Sequence, residues 1–160
     1  MARILISDPL ANEGIELLKA HGDVDVKLGM TPAELISIIP EYDALVVRSE
    51  TKVTPDVIDA GTALSVIGRA GVGVDNIDLE VATRRGIAVV NAPTGNTLAA
   101  ADHTIAMMLS LARNIPQANS SLKSGQWARS AFTGVEVSNK TLGVIGLGKV
   151  GAEVAKRAIG

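Results

Sequence analysis

At 160 residues the chain has room for one ordinary domain, or for a domain of about 100 residues with part of a second. Hydrophobic residues reach 47% while aromatics supply only 2%, so a core must be built from Val, Ile, Leu, Ala and Met, which favours α/β layers over an aromatic-rich barrel or sandwich. A formal net charge of -2 leaves no basic footprint for nucleic acid or an anionic membrane, and the lack of Cys excludes disulfides, thiolate metal sites and a Cys nucleophile.

Met1-Ala2-Arg3 runs straight into Ile4-Leu5-Ile6, an apolar stretch far shorter than a signal-peptide core. Arg3 to Ser7 reads as a strand, Glu13 to Ala20 as a helix, Val24 to Leu28 as a strand, and Pro32 to Ile39 as a helix with Thr31 as N-cap. The rhythm repeats with a buried strand at Ala44 to Val47, a short helix at Pro55 to Ala60 capped by Thr54, and a strand at Ser65 to Gly68. A helix at Asp78 to Arg85 and a strand at Ala88 to Asn91 complete it. Five strands alternating with helices predict a parallel sheet covered on both faces.

The period then changes. Leu98 to Arg113 reads as a long, nearly all-apolar helix, capped by Asn96 or Thr97 and ended by Pro116. Its composition predicts burial between lobes or subunits, and self-association through residues 98–113 into a homo-oligomer. Asp102 and His103 interrupt its apolar run, which stays below membrane-spanning length. Residues 117–139 are polar and read as a short helix and connecting loop, with Trp127 as an anchor. His103 is expected to pack among apolar residues rather than act as a base, and with His21 the only other histidine, no metal site is expected.

Thr141 to Ile145 reads as a strand, followed by Gly146-Leu147-Gly148-Lys149-Val150-Gly151 and a helix from Val150 to Ala158. Strand, glycines at first, third and sixth positions, then helix is the order a pyrophosphate-binding turn needs. Gly146 permits the tight turn, Gly148 lets main chain approach phosphate, and Gly151 lets helix and strand pack closely. The other reading is a plain glycine-rich turn. An acidic residue for the adenosine ribose would lie about twenty residues farther on, so NAD and NADP are not distinguished here.

Three loops follow the carboxyl ends of strands in the first part, where open α/β sheets place ligands. Arg48-Ser49 offers a guanidinium for a carboxylate or phosphate, against an ordinary solvated salt bridge. In Arg69-Ala70-Gly71-Val72-Gly73-Val74-Asp75-Asn76, the two glycines leave main-chain N–H groups unobstructed, a nest for a carboxylate or simply a turn leading to a helix cap. Gly95-Asn96-Thr97 opens the long helix as an anion-suited terminus or a plain N-cap.

Residues 67–76, Asn91-Ala92-Pro93 with Gly95-Asn96-Thr97, residues 111–117 and Gly143 to Gly151 closely resemble the D-isomer-specific 2-hydroxyacid dehydrogenases, and the resemblance runs over almost the whole chain. The resemblance implies a flavodoxin-like, parallel-sheet substrate-binding domain at residues 1–97, then the truncated start of a Rossmann NAD-binding domain at 98–160. It implies NAD-dependent oxidation of a small anionic 2-hydroxy acid, 3-phosphoglycerate, to 3-phosphohydroxypyruvate, opening serine biosynthesis; the lack of Cys makes the cytoplasm the default compartment. Arg48, Ser49 and Asn96 are implied to bind substrate, and Gly71 to Gly73 its carboxylate. Val72 is implied to lie near the nicotinamide, and Lys149 and Val150 to meet the pyrophosphate beside Gly146, Gly148 and Gly151. The family's general-base His, its carboxylate partner and a substrate-holding Arg are expected beyond Gly160, so no catalytic residue is assigned here and the chain alone is expected to be inactive. The alternatives are a dehydrogenase for glyoxylate or hydroxypyruvate and a non-catalytic dimerising fragment. A signalling receiver-like domain is disfavoured because Arg48 stands where an acidic phosphoacceptor is needed.

Overall fold

A computed structural model describes residues 1–159 of the chain. They fall into two units, residues 1–95 and the stretch from Asn96 onward. In the first unit, strands β1 (Ala2–Ile6), β2 (Gly22–Val26), β3 (Ala44–Val47), β4 (Val66–Arg69) and β5 (Ala88–Asn91) alternate with helices α1 (Asn12–Lys19), α2 (Pro32–Ile38), α3 (Pro55–Ala60) and α4 (Leu79–Arg84). Local chemistry explains the helix starts. Thr31 forms a capping box with Glu34 ahead of Pro32, and the Asp78 carboxylate accepts the Val81 N–H ahead of α4. Thr54 stands at the N-cap of α3, but its side chain makes no capping bond there.

All strand pairs are parallel, in the order β2-β1-β3-β4-β5. This is the flavodoxin-like order, with its switch point between β1 and β3, where ligands bind beyond the strands' carboxyl ends. The register places Leu5, Leu45, Ile67 and Val89 on one face. There they join Leu35, Ile39, Val57, Ile58 and Val81 from the helices in an aliphatic core whose one ring is Tyr42. Cover of the two faces is unequal, contrary to the expectation from the sequence. On the opposite face Ile4 and Ile6 are buried, whereas Val46 and Val66 are half-buried and Val90 is exposed. Edge strand β2 carries Asp23 and Asp25 at the rim of the core face, in register with Arg3 and Leu5. The Asp25 carboxylate accepts the Tyr42 hydroxyl at 2.7 Å and lies 3.4 Å from Arg3, a polar finish that discourages pairing with another sheet.

The second unit contains α5 (Thr97–Ala112), α6 (Ile115–Lys123) and α7 (Lys149–Ile159). Helices α5 and α7 are tied by Arg157, whose guanidinium meets Asp102 at 2.6 Å and Glu153 at 2.9 Å. Several expectations fail in this unit. Residues 141–145 form no strand, and Val144 and Ile145 are exposed. A parallel strand is held by its neighbours' hydrogen bonds, and none of the described residues of this unit supplies a neighbouring strand. Within this chain helix α5 buries only Thr97 and Ala101, with Leu98, Met107 and Leu111 exposed, and His103 is exposed rather than packed among apolar residues. Pro116 does not stop it. Asn114 breaks the helix in the left-handed conformation (φ 51°), and Pro116 sits in the first turn of α6. Trp127 anchors nothing, being 79% exposed.

Candidate functional site

The carboxyl end of β3 delivers Arg48 and Ser49 to the switch point, and both side chains are exposed. The Arg48 peptide is gripped from both sides. Its N–H donates to Asp8 Oδ2 at 2.6 Å, and its carbonyl accepts Arg69 Nε at 3.0 Å and Asn76 Nδ2 at 2.9 Å. The guanidinium itself reaches only the Pro9 carbonyl, at 3.3 Å, so most of its donors remain available to an anion. Asp8, directly beyond β1, is the residue that sequence reasoning missed. It is 1% exposed and accepts the N–H groups of Arg48, Glu50 and Thr51 as well as the Thr51 hydroxyl. Burial pushes its carboxyl up. The hydrogen bonds from Thr51, Arg48 and Glu50 more than offset this and hold it below the ordinary carboxylate value.

At the end of β4 the loop 69–76 folds around its own arginine. Arg69 Nη1 donates to the Gly73 carbonyl, Nη2 lies 3.7 Å from Asp75, and the side chain is only 11% exposed. A Cβ at Gly73 would lie 2.9 Å from Asp75 Oδ1 and 3.1 Å from Arg69 Nη1, and one at Gly71 would lie 3.3 Å from Nη1. The glycines therefore make room for Arg69 as well as baring main chain. Gly71 N–H is spent on the Arg69 carbonyl, whereas those of Val72 and Gly73 have no partner among the described residues. Asn91 Nδ2 donates to the Val72 carbonyl at 2.6 Å, fixing the outer edge of the turn. Neither Asp75 nor Asn76 caps α4, a role that Asp78 fills. Asn76 instead turns inward, also donating to the Thr51 carbonyl at 2.7 Å, and its Oδ1 is buried without a partner.

Arg48, Ser49 and Gly71 to Gly73 thus belong to one frame in the first unit, with Arg69 bridging the two loops. Asn96 lies in the second unit. It is the N-cap residue of α5, is exposed, and its side chain makes no capping bond. Thr97 gives no cap either, its Oγ1 being buried and unpartnered.

The glycine turn has the geometry its spacing predicts, without the expected strand before it. Gly146 has φ 88°, in the left-handed region. A Cβ at Gly151 would stand 2.1 Å from the Gly146 carbonyl, so only glycine lets α7 start there. A Cβ at Gly148 would meet nothing within 4 Å, leaving main chain open to a bulky anion. Lys149 and Val150 begin α7, and the first bond into it runs from Ala152 N to the Gly148 carbonyl at 2.9 Å. The earlier N–H groups are those a helix presents to pyrophosphate, so these residues fit a dinucleotide.

A flavodoxin-like parallel sheet with an arginine and a bare-amide turn at its ligand edge, followed by a glycine turn opening a helix, defines the α/β class associated with nucleotide-dependent enzymes. Residues 4–157 match the family model of the D-isomer specific 2-hydroxyacid dehydrogenase catalytic domain, and the chain belongs to that family. It is 59% identical over 155 residues to a D-3-phosphoglycerate dehydrogenase of Synechocystis sp., a match covering 97% of this chain and 28% of that protein. Among solved structures, a Thermus thermophilus protein superposes with TM-score 0.90 at 34% identity, covering 98% of this chain and 52% of its own. An NAD+-bound 3-phosphoglycerate dehydrogenase of Entamoeba histolytica gives TM-score 0.77 at 30% identity, covering 99% and 50%. The chain therefore spans about half or less of the length of these relatives. Among the described residues no helix is long and apolar enough to cross a membrane.

Proposed function

We propose that this chain serves an NAD-dependent dehydrogenase that oxidises 3-phosphoglycerate to 3-phosphohydroxypyruvate, the step opening serine biosynthesis in the cytoplasm. The observation that carries the reading is the shared frame at the switch point, which presents the Arg48 guanidinium and the open N–H groups of Val72 and Gly73 together. A substrate with two anionic groups, a carboxylate and a phosphate, needs two such anchors, and one guanidinium plus one nest supplies them. Names of relatives at up to 59% identity over most of this chain point to the same substrate.

In this reading residues 1–97 form the substrate-binding segment and residues 98–160 begin the nucleotide-binding one. Arg48, Ser49 and Asn96 bind the substrate, Gly71 to Gly73 receive its carboxylate, and Val72 borders the nicotinamide. Gly146, Gly148, Lys149, Val150 and Gly151 hold the pyrophosphate. Bound NAD supplies the hydride acceptor. The hydroxyl proton needs a base, and none is assigned within residues 1–160, so these residues alone bind without turnover. The exposed apolar side chains of α5, Leu98, Met107 and Leu111, support association of chains through that helix.

The test is NADH formation by the full-length gene product with 3-phosphoglycerate, D-glycerate and D-lactate, with NAD and NADP compared. Oxidation of the phosphorylated acid with NAD, and a rise of KM for it of about tenfold or more in Arg48→Ala, is expected. Oxidation of only unphosphorylated acids moves the assignment to another D-2-hydroxy acid. Preference for NADP overturns the cofactor.

A further inference from the structure

We infer that Asp8 is a positioning residue for the anion-binding Arg48, acting through the main chain of residues 48–51 rather than on the substrate. The inference rests on the reading of Arg48 as a substrate anchor and deepens it.

Asp8 sits directly beyond β1, the strand beside β3 at the switch point, and is buried. It meets no cation. Its Oδ2 accepts Arg48 N–H at 2.6 Å and Glu50 N–H at 3.2 Å, while Oδ1 accepts Thr51 N–H at 3.1 Å and the Thr51 hydroxyl. A buried carboxylate satisfied only by donors of one short segment constrains that segment, because releasing any donor leaves a buried charge undersolvated. The segment so constrained is the one from which the Arg48 side chain projects. Its carbonyl side is fixed independently by Arg69 and Asn76, so the Arg48 peptide has no freedom at either end. An arginine whose Cα is fixed in this way loses less freedom on meeting an anion, which is how a remote residue raises substrate affinity.

The variants chosen to read this effect are Thr51→Val, which removes the hydroxyl that meets both Asp8 Oδ1 and Ser7 Oγ and keeps the side-chain volume, and Thr51→Ser, which restores it. Asp8→Asn serves as the stronger perturbation. Steady-state kinetics of the full-length gene product are measured with NAD and the hydroxy acid that the wild type oxidises best, beside Arg48→Ala. Thr51→Val is expected to raise KM for the hydroxy acid about tenfold, with kcat and KM for NAD within about twofold, and Thr51→Ser to return KM to near the wild-type value. Asp8→Asn is expected to move the same parameter further. The inference is overturned if Thr51→Val leaves KM for the hydroxy acid unchanged while Arg48→Ala raises it. It is equally overturned if Thr51→Val shifts both KM values and kcat together, the mark of general loosening, or if Arg48→Ala affects no oxidised acid. Failure of the wild type to use 3-phosphoglycerate touches the substrate assignment alone, because the comparison runs on whichever acid is oxidised.

Discussion

The two units face the same task, covering Val, Ile and Leu with few aromatic rings, and complete it to different extents. The first buries a continuous aliphatic cluster against its sheet, with Leu5, Leu45, Val47 and Ile67 fully enclosed. The second, with a smaller share of Val, Ile and Leu, buries Thr97, Ala101 and Val154 and leaves Leu98, Leu111, Leu122, Trp127 and Ile145 exposed. A sheet offers each helix a flat apolar surface that is itself fully hydrogen-bonded. Helices without one must cover each other edge to edge, and three of them leave most of their surface bare.

The largest expected effect tests that contrast directly. Ile67→Ala in the core should cost about 2–5 kcal/mol through lost burial and the cavity left behind, whereas Leu111→Ala, at a position 77% exposed, should change stability by less than about 0.5 kcal/mol. Urea unfolding of both variants decides it. That small effect is the one expected at low protein concentration; a Leu111→Ala loss that grows with concentration is the mark of association through α5, whereas a loss matching Ile67→Ala at every concentration would break the contrast.

Within the second unit the second and third glycines of the turn, Gly148 and Gly151, should separate stability from binding. Gly151→Ala must push a Cβ to 2.1 Å from the Gly146 carbonyl, so the turn opens at a cost of roughly 1–3 kcal/mol and dinucleotide affinity is lost with it. Gly148→Ala meets no protein atom and should leave the melting temperature unchanged, yet weaken NAD at least tenfold by holding the phosphates away. Calorimetric titration with NAD beside thermal melts reads both. Equal affinity in Gly148→Ala and wild type would remove the turn from the cofactor site.

These cases show which features sequence can carry. Strands Ala44–Val47 and Ala88–Asn91 and helix Pro55–Ala60 were legible to the residue, because β-branched runs and a Thr-Pro start are local signals. The expected strand at 141–145 has the same composition but no partner, and pairing is not a local property. Arg48 was legible as an exposed cation after a strand. Asp8 was not, since its role depends on donors 40 or more residues away and only its place beyond β1 hinted at it. Arg69 was read merely as the start of a glycine loop, although its side chain explains why those glycines are required.

A smaller effect follows from acid. Hydrogen bonds hold the Asp8 carboxyl below its ordinary value of about 4, despite the opposing effect of burial. A depressed folded-state value contributes stability that is complete above the unfolded value and is lost as pH falls through the folded one. Stability of the first unit should therefore hold between pH 7 and about 5 and decline below about 4. Asp25 and Glu34 are lowered as well, by the Tyr42 hydroxyl and by Thr31 respectively, so total acid sensitivity is shared. The reading specific to Asp8 is the difference between wild type and Asp8→Asn in urea midpoints across that range. It should shrink as pH falls, and a constant difference would show that the charge contributes nothing.

The smallest effects compare the helix starts of the two units. Thr31 accepts Glu34 N–H at 3.3 Å while its own N–H and hydroxyl donate to Glu34 Oε2 at 2.7 and 2.8 Å, so Thr31→Ala should cost about 1 kcal/mol. Asn96 occupies the equivalent position on α5 with its side chain uncommitted. Asn96→Ala should accordingly leave urea stability within about 0.3 kcal/mol of wild type, well short of the loss usual for a working cap. An Asn kept at a cap position without capping has its amide available for a ligand, so the same variant should raise KM for the hydroxy acid while Thr31→Ala leaves it unaltered. A stability loss at Asn96 as large as that at Thr31, with KM unmoved, would return Asn96 to the role of a plain cap and remove it from the substrate site.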